Sequence, residues 1–519
     1  MGFSIFPFIA WLSIITGCQD GGVSSRIDVF TRASLDLRGY RPSIEEMESV
    51  GKSDRTLSRA LDSLVEQSEF GQQYAGLMAG VWKTEVVEFD HTHHEYAFAD
   101  SQVVLGLLTA LGQEPLQVIA EIANSDTSYS EIVTGDWTMA NSDLAAWSPV
   151  DYNWDLDPSV WQKVHYTDDR PSAGLLVSNG LWWRYNSTLS NAQRGRANII
   201  SKFLLCNDFL DRRIEIDREL NLLDEEGVQE ALVSSPTCVS CHVDLDPLAS
   251  NFWGLYRHFR FSLEEQFSYH PERELHWMEI TGVPPSYFGS PVTSLSDLGE
   301  SISHDPSLYT CLVQRTWSQM TQKDVANEYW SRVQEHLSIF VRSGFVIRPL
   351  VRSILDDPMY RDQAQPKIVS ARIYASQIEH LTQFRFQQDS VDGVYADLYG
   401  IRGLFGGRGK DWLTSPSNKP TATFALVIQR LAEAAAYHVT RDVTAANQFF
   451  SFNFQMVENA TPERFSTIYT QVLSRPPTDA DLSEVMELWQ QVYDLNESTI
   501  DAWQATLTFL FRHPSFLTY

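Results

Sequence analysis

The stretch Cys238-Val239-Ser240-Cys241-His242-Val243-Asp244-Leu245-Asp246-Pro247-Leu248 opens with two thiols and an imidazole inside little more than one helical turn. Side chains three and four apart share one face of a helix, so a helix here points Cys238, Cys241 and His242 the same way. Covalent attachment of a c-type haem asks for that set: two thiols to bond the two vinyl groups and a neighbouring imidazole to reach the iron. The spacing predicts one haem c held by Cys238 and Cys241, with His242 as the proximal iron ligand. Two other chemistries use a Cys-x-x-Cys pair. A thioredoxin-like dithiol expects a βαβ setting that the surrounding pattern lacks, and a zinc site expects a second Cys/His pair close by.

Outward from the motif, Pro247, Leu248, Phe252, Trp253, Leu255 and Tyr256 would wall a large apolar macrocycle, or serve as ordinary core. Arg257 and Arg260 are candidates to pair with the haem propionates, because a guanidinium matches a carboxylate bidentately. The distal iron ligand stays open among His258, His165, Met278 and His270. Its identity matters, since a Met/His pair raises the reduction potential and an open position suggests catalysis or ligand binding. The run Asp90-His91-Thr92-His93-His94-Glu95 has enough ligand atoms for a metal but no cysteine beside it, and reads as a polar loop. No Gly-x-Ser-x-Gly elbow or His-Glu-x-x-His helix occurs, which leaves hydrolase chemistry without a nucleophile or metal.

The remaining cysteines suggest an exported protein. The apolar run from Phe3 to Ile15 is too short to span a bilayer and ends in small residues, the form of a cleaved signal. It leads into Ile15-Thr16-Gly17-Cys18, which resembles a bacterial lipobox and would make Cys18 the lipidated N-terminus; Gln19 after it resembles outer-membrane or surface sorting rather than inner-membrane retention. In an oxidising compartment the two leftover thiols, Cys206 and Cys311, are candidates for a disulfide.

A net charge of −28, from 67 acidic against 39 basic residues, repels phosphate backbones and argues against a nucleic-acid partner. It favours a protein partner with a basic surface. With 519 residues and 43% hydrophobic content the chain has ample apolar area for several modules. Helical spacing predominates: Leu57, Leu61, Leu64 and Val65 form one apolar face, and Phe424, Val427, Ile428, Leu431 and Ala435 another. Capping-box signatures at Ser43–Glu46, Thr321–Asp324 and Thr478–Asp481 each predict a helix start. Each is followed by an apolar segment expected to end a helix in an aromatic, at Phe70, Tyr360 and Phe516, which suggests a repeated helical hairpin. Residues 261–291 and 400–420 read as long irregular loops; the glycines of the second do not have the setting of a phosphate-binding loop.

Several blocks also resemble a known group of families. Asp136-Trp137-Thr138 with Asn141 and Leu144-Ala145, then Ala173-Gly174-Leu175-Leu176, Arg194-Gly195, and Cys238 through Leu248 resemble, in that order, blocks of the planctomycete-type cytochrome c-like domain families. Leu35-Asp36-Leu37-Arg38-Gly39 with Pro42 and Phe70-Gly71 is similar to the helical domain that often precedes them, and Ser296-Asp297-Leu298 through Cys311-Leu312-Val313 to the block that follows. Arg475-Pro476-Pro477-Thr478 through Pro514-Ser515-Phe516-Leu517 resembles a related C-terminal module, while residues 362–460 match weakly. The resemblance implies an exported haem protein without fixing an activity. One position departs from it: Ala249 stands where the families commonly carry a glycine suited to a tight turn.

The expected protein is therefore all-α and multi-module, with a cytochrome c-like haem-binding segment and long irregular loops. Its expected parts are a signal peptide over 1–17, a tether over 18–27, an N-terminal helical domain over 28–135, the haem-binding domain over 136–292, and helical domains over 293–361 and 362–519. Electron transfer in the cell envelope is the leading function. A binding component of an envelope assembly with a mainly structural haem, and a peroxidase-like or oxidative haem enzyme, are the alternatives.

Overall fold

The computed structural model describes residues 21–85, 101–212, 224–256, 263–325, 327–362, 364, 366–388, 391–392, 401–405 and 420–519. They are mostly helical, with three short antiparallel two-stranded ladders among the described residues. No helix of the described residues is long and apolar enough to cross a membrane. Cys18 and the 90–95 run lie outside the described residues, as do Arg257, His258 and Arg260. The chain expected as a tether is helical from Gly21 onward, where α1 (Gly21–Leu37) begins.

Two large apolar clusters organise the chain. The first runs from Val29 to Tyr360 and the second takes Leu35 and then residues from Val369 to Phe516. Helix α1 belongs to both: Val29, Phe30, Ala33 and Leu37 pack into the first cluster while Leu35 packs into the second. A helix used on both sides is buried all round, and residues 29–39 are buried without a break.

Buried polar contacts fasten this junction. The Asp36 carboxylate is 2.5 Å from Lys367 Nζ and accepts from the Tyr360 and Tyr519 hydroxyls at 2.8 and 2.9 Å. Arg41 donates to the carbonyls of Leu473, Ser515 and Thr518, and Arg32 to those of Tyr360 and Asp362. At the following turn Gly39 has φ +84°, and an added Cβ would lie 2.6 Å from both Gln73 and Ser376 side chains, so only glycine fits.

Helices α2 (Ile44–Gly51), α3 (Asp54–Leu64), α4 (Phe70–Trp82) and α5 (Ser101–Asn124) follow. Ser43 and Thr478 close their capping boxes with Glu46 and Asp481, and the apolar faces read at residues 57–65 and 424–435 are buried. The third signature is a correction. Thr321 is the last residue of the Pro306–Thr321 helix, with Gln322 left-handed at φ 55°. The helix is started instead by Asp305, whose side chain accepts from Ser307 N–H, with Pro306 in the first turn; its apolar face continues to Met320, straight into the supposed cap.

The aromatics ending the proposed hairpins also differ from expectation. Phe70, Tyr360 and Phe516 are fully buried, yet each lies in the next helix, beyond a break after Leu64, Leu355 and Phe511 respectively. Residues expected to be one irregular loop over 261–291 hold the short helices Leu263–Phe267 and Trp277–Ile280, a 3-10 turn at Pro271–His276 and a Ser286–Tyr287/Ser290–Pro291 ladder. Of the glycines in 400–420, Gly403 sits in the Ile401–Leu404 helix and the others lie outside the described residues.

Cys206 and Cys311 form a disulfide with their Cα atoms 5.3 Å apart. It joins the end of the Arg194–Leu205 helix to the Pro306–Thr321 helix.

Two outcomes are expected. Asp36→Asn removes the carboxylate 2.5 Å from the buried Lys367 ammonium and should lower the unfolding free energy by about 3–5 kcal/mol in urea. His513 accepts a backbone N–H from Ser515 on Nδ1, which keeps the ring neutral. Burial, with help from the Arg475 charge, lowers its pKa to about 4. Unfolded His takes a proton near pH 6.5, so this contribution is complete above that pH and is lost as pH falls through about 4. His513→Gln should remove on the order of 2 kcal/mol of acid sensitivity in that window, read from unfolding midpoints against pH.

Candidate functional site

The motif lies on the helix Pro236–Ala249, here called the attachment helix. Ser235 precedes it in an extended conformation and Pro236 occupies the first turn, where a missing N–H costs nothing. Cys241 and Leu245 are buried and belong to the first apolar cluster, while Cys238 is half-buried. Both thiols are free. Pro247 within the helix has no N–H for the Val243 carbonyl. Ala249 has φ −62° and ψ −33°, ordinary right-handed geometry, so the position where a glycine was expected does not need one.

His242 is anchored from behind. Its Nδ1 lies 2.9 Å from the Asp246 carboxylate, one helical turn further on. The same carboxylate takes two hydrogen bonds from Arg194, at 2.6 and 3.0 Å from Nε and Nη2. Asp246 is 8% exposed and holds an imidazole and a guanidinium together. Burial pushes the Asp246 carboxyl up, and the hydrogen bonds from His242 and Arg194 with the Arg194 charge outweigh it, leaving the group below its ordinary range. With Nδ1–H given to Asp246, the tautomer leaves Nε2 as the lone-pair nitrogen, the arrangement by which metal-bound imidazoles are oriented.

Arg194 reaches Asp246 because the Arg194–Leu205 helix packs along the attachment helix. Its first turn is set by Asn191, whose side chain accepts from Gly195 N–H at 2.8 Å, and its end by the disulfide. From the other side Arg212 donates to the Ser240 carbonyl at 3.0 Å and lies 3.9 Å from Cys241 Sγ, with its guanidinium over Phe209. Neither Arg194 nor Arg212 was read as a site residue from spacing alone. The His242–Asp246 separation of four was a legible signal for the carboxylate; nothing local marked the two arginines.

The other blocks around the motif have structural uses. Gly174 has φ +51°, and a Cβ there would meet the Ile132 carbonyl at 2.3 Å. The Asn141 side chain accepts from Leu144 N–H and starts the Ser142–Ala145 helix. Thr138, on β1 (Thr138–Ala140), donates to the buried Glu114, which also accepts from the Tyr166 hydroxyl and Gly180 N–H.

Of the distal candidates, His165 follows β2 (Gln162–Val164), half exposed, with its ring on Asp151. His270 is held by the Glu265 carbonyl and Glu272, and Met278 is 54% exposed. These partners lie on other elements than the attachment helix. Among the described residues no group of three or more His, Cys, Asp or Glu side chains gathers to hold a metal ion.

The two free thiols, the oriented imidazole and its carboxylate fit the requirements of covalent haem attachment: donors of the right chemistry on one turn, with the proximal nitrogen left available. No protein-family model, curated protein or solved structure matches this chain at a significant level.

The Arg194–Asp246 pair is testable on its own. A double-mutant cycle with Arg194→Ala and Asp246→Ala should give a coupling of about 1–3 kcal/mol in denaturant unfolding at neutral pH. Because the Asp246 pKa is lowered by folding, this contribution holds above the ordinary carboxylate pKa of about 3.9 and should disappear as the pH falls below it.

Proposed function

We propose that this chain is an exported c-type cytochrome, lipid-anchored through Cys18, with one haem c on Cys238 and Cys241 and His242 as proximal ligand, serving electron transfer in the cell envelope. The observation that carries it is the pairing of His242 Nδ1 with Asp246 beside two free thiols in the same motif. A structural role for the helix alone does not require His242 to be tethered through one ring nitrogen, whereas an iron ligand gains both orientation and basicity from such a partner. A haem held there supplies a one-electron redox centre.

The chain's own residues would do the rest. Cys238 and Cys241 would each form a thioether, the sulfur bonding one vinyl carbon and the thiol proton going to the other, with no net oxidation. Asp246 would hold the imidazole in the tautomer that leaves Nε2 free, and Arg194 would keep that carboxylate ionised and in place. The exported setting fits the Cys206–Cys311 disulfide, which survives in an oxidising compartment. The acidic balance of −28 favours a redox or envelope partner with a basic surface and makes the encounter salt-sensitive, and it disfavours nucleic acid. An outer-membrane or cell-surface position follows from the lipobox reading. Within the proposal, the cytochrome c-like segment is the region of the attachment helix, and the planctomycete-type families are its relatives.

The test is a pyridine haemochrome spectrum on protein made in a host with cytochrome c maturation. The expected result is one haem c per chain that stays with the polypeptide in acidic acetone, and its loss in Cys238→Ser with Cys241→Ser. A colourless protein, or pigment extracted by acidic acetone, removes the proposal.

A further inference from the structure

A cleft of about 460 Å³ opens where the two apolar clusters meet. One wall is the turn after α1, with Arg38 and Tyr40; another is the start of α4, with Ser68 and Glu69 before the helix and Gln72 and Gln73 in its first turn. The third wall belongs to the second cluster, as Ser376, Glu379 and His380 lie on the helix Ala371–Thr382 that packs into it. The halves converge at Gly39: Gln73 Nε2 and Ser376 Oγ each lie 2.6 Å from the one point where a Cβ on Gly39 would stand. The volume falls within the range of small-molecule sites, roughly 300–1,000 Å³.

The charges of the lining disfavour an anion. Arg38 gives two hydrogen bonds of 2.7 Å to the Glu46 carboxylate and a third to Ser34, so its charge is already matched. Glu379 is matched by Arg385 at 2.6 Å. The Glu69 carboxylate accepts from the Ser68 hydroxyl and, among the described residues, pairs with no cation. One unmatched negative charge is left, which repels phosphates and carboxylates.

The remaining groups are neutral and two-sided. His380 stacks on Tyr40 with ring centroids 3.7 Å apart and planes 8° from parallel. Burial, with the Arg38 charge, holds its pKa below the ordinary value, so the ring is neutral at neutral pH and offers one N–H and one lone pair. The side chains of Gln73, Ser376 and His380 have no hydrogen-bond partner among the described residues, and all three line the cleft. A metal ion or an ammonium group would use only the acceptors of this set, and an apolar ligand none of it. A hydroxyl donates and accepts at one atom, and two adjacent hydroxyls can both donate to one carboxylate.

We infer that this cleft binds a neutral saccharide, with Glu69 accepting from a pair of ring hydroxyls and Gln73, Ser376 and His380 bonding others. Walls from both clusters then touch one ligand, so binding holds the two halves of the molecule together. The inference makes no use of the haem.

The test is the melting temperature of the full chain with maltose, cellobiose or N,N′-diacetylchitobiose, each at about 20 mM, and with spermidine or inorganic phosphate in separate arms. The expected result is a rise of about 2 °C with at least one disaccharide and none with spermidine or phosphate. Glu69→Gln and, on the opposite wall, Ser376→Ala should each melt within about 1 °C of the wild type alone and lose that rise. Gln73→Leu stands in for either variant that does not fold. No response to any of the three disaccharides overturns the inference, and so does a rise that survives both substitutions. A rise with spermidine that Glu69→Gln removes overturns it in favour of a cation site.

Discussion

The Asp36 carboxylate is the point at which the two halves of this molecule meet. It sits on a helix whose neighbouring residues feed two different apolar clusters, and it accepts from Lys367, Tyr360 and Tyr519 at once. A buried ion pair repays its desolvation only when geometry is good and the remaining lone pairs are filled. Here the two tyrosine hydroxyls fill them, and burial together with the Asp36 charge pushes the Tyr360 hydroxyl well above its ordinary pKa, so it stays a donor. Arg32 and Arg41, on either side of Asp36, donate to backbone carbonyls, Arg32 to those of Tyr360, Asp362 and Tyr519 and Arg41 to those of Ser515 and Thr518. The start of the described chain is thereby tied to its end, and both clusters take their placement from α1.

A second carboxylate plays a similar part at smaller scale. Asp246 joins one side chain of its own helix, His242, to one of a neighbouring helix, Arg194. The disulfide then fastens the far end of that neighbouring helix to the Pro306–Thr321 helix inside the first cluster. The imidazole is therefore held by a continuous series of bonds that ends in the core. In both places a carboxylate with several donors does what apolar packing cannot: it selects one angular arrangement of helices that would otherwise slide or rotate.

The legibility of these features in the sequence differs with their range. The spacing of Cys238, Cys241 and His242 set them on one turn, and the structure has the helix Pro236–Ala249 there. Capping signatures were right at Ser43 and Thr478, where nothing upstream competes, and wrong at Thr321, where an apolar helix begun at Pro306 runs over the supposed start. A cap is a weak local preference, worth about 1 kcal/mol, and a packed apolar face outweighs it. Phe70, Tyr360 and Phe516 are buried but were read as ends of the preceding helices, although Asp357-Pro358 and His513-Pro514 cap new helices before Tyr360 and Phe516.

By itself, the sequence determined what depends on the period of a helix: the mostly helical character, the apolar faces, and the shared face of Cys238, Cys241 and His242. Only the tertiary structure decided that Arg194 would meet Asp246 across 52 residues, that Lys367 would meet Asp36 across 331, and that Arg196 would be buried with its guanidinium on the Leu255 and Tyr185 carbonyls. The physical reason is that helical periodicity is a property of neighbouring residues. The pairing of distant charges depends instead on which helices pack together, and that is set by the whole apolar surface being buried at once.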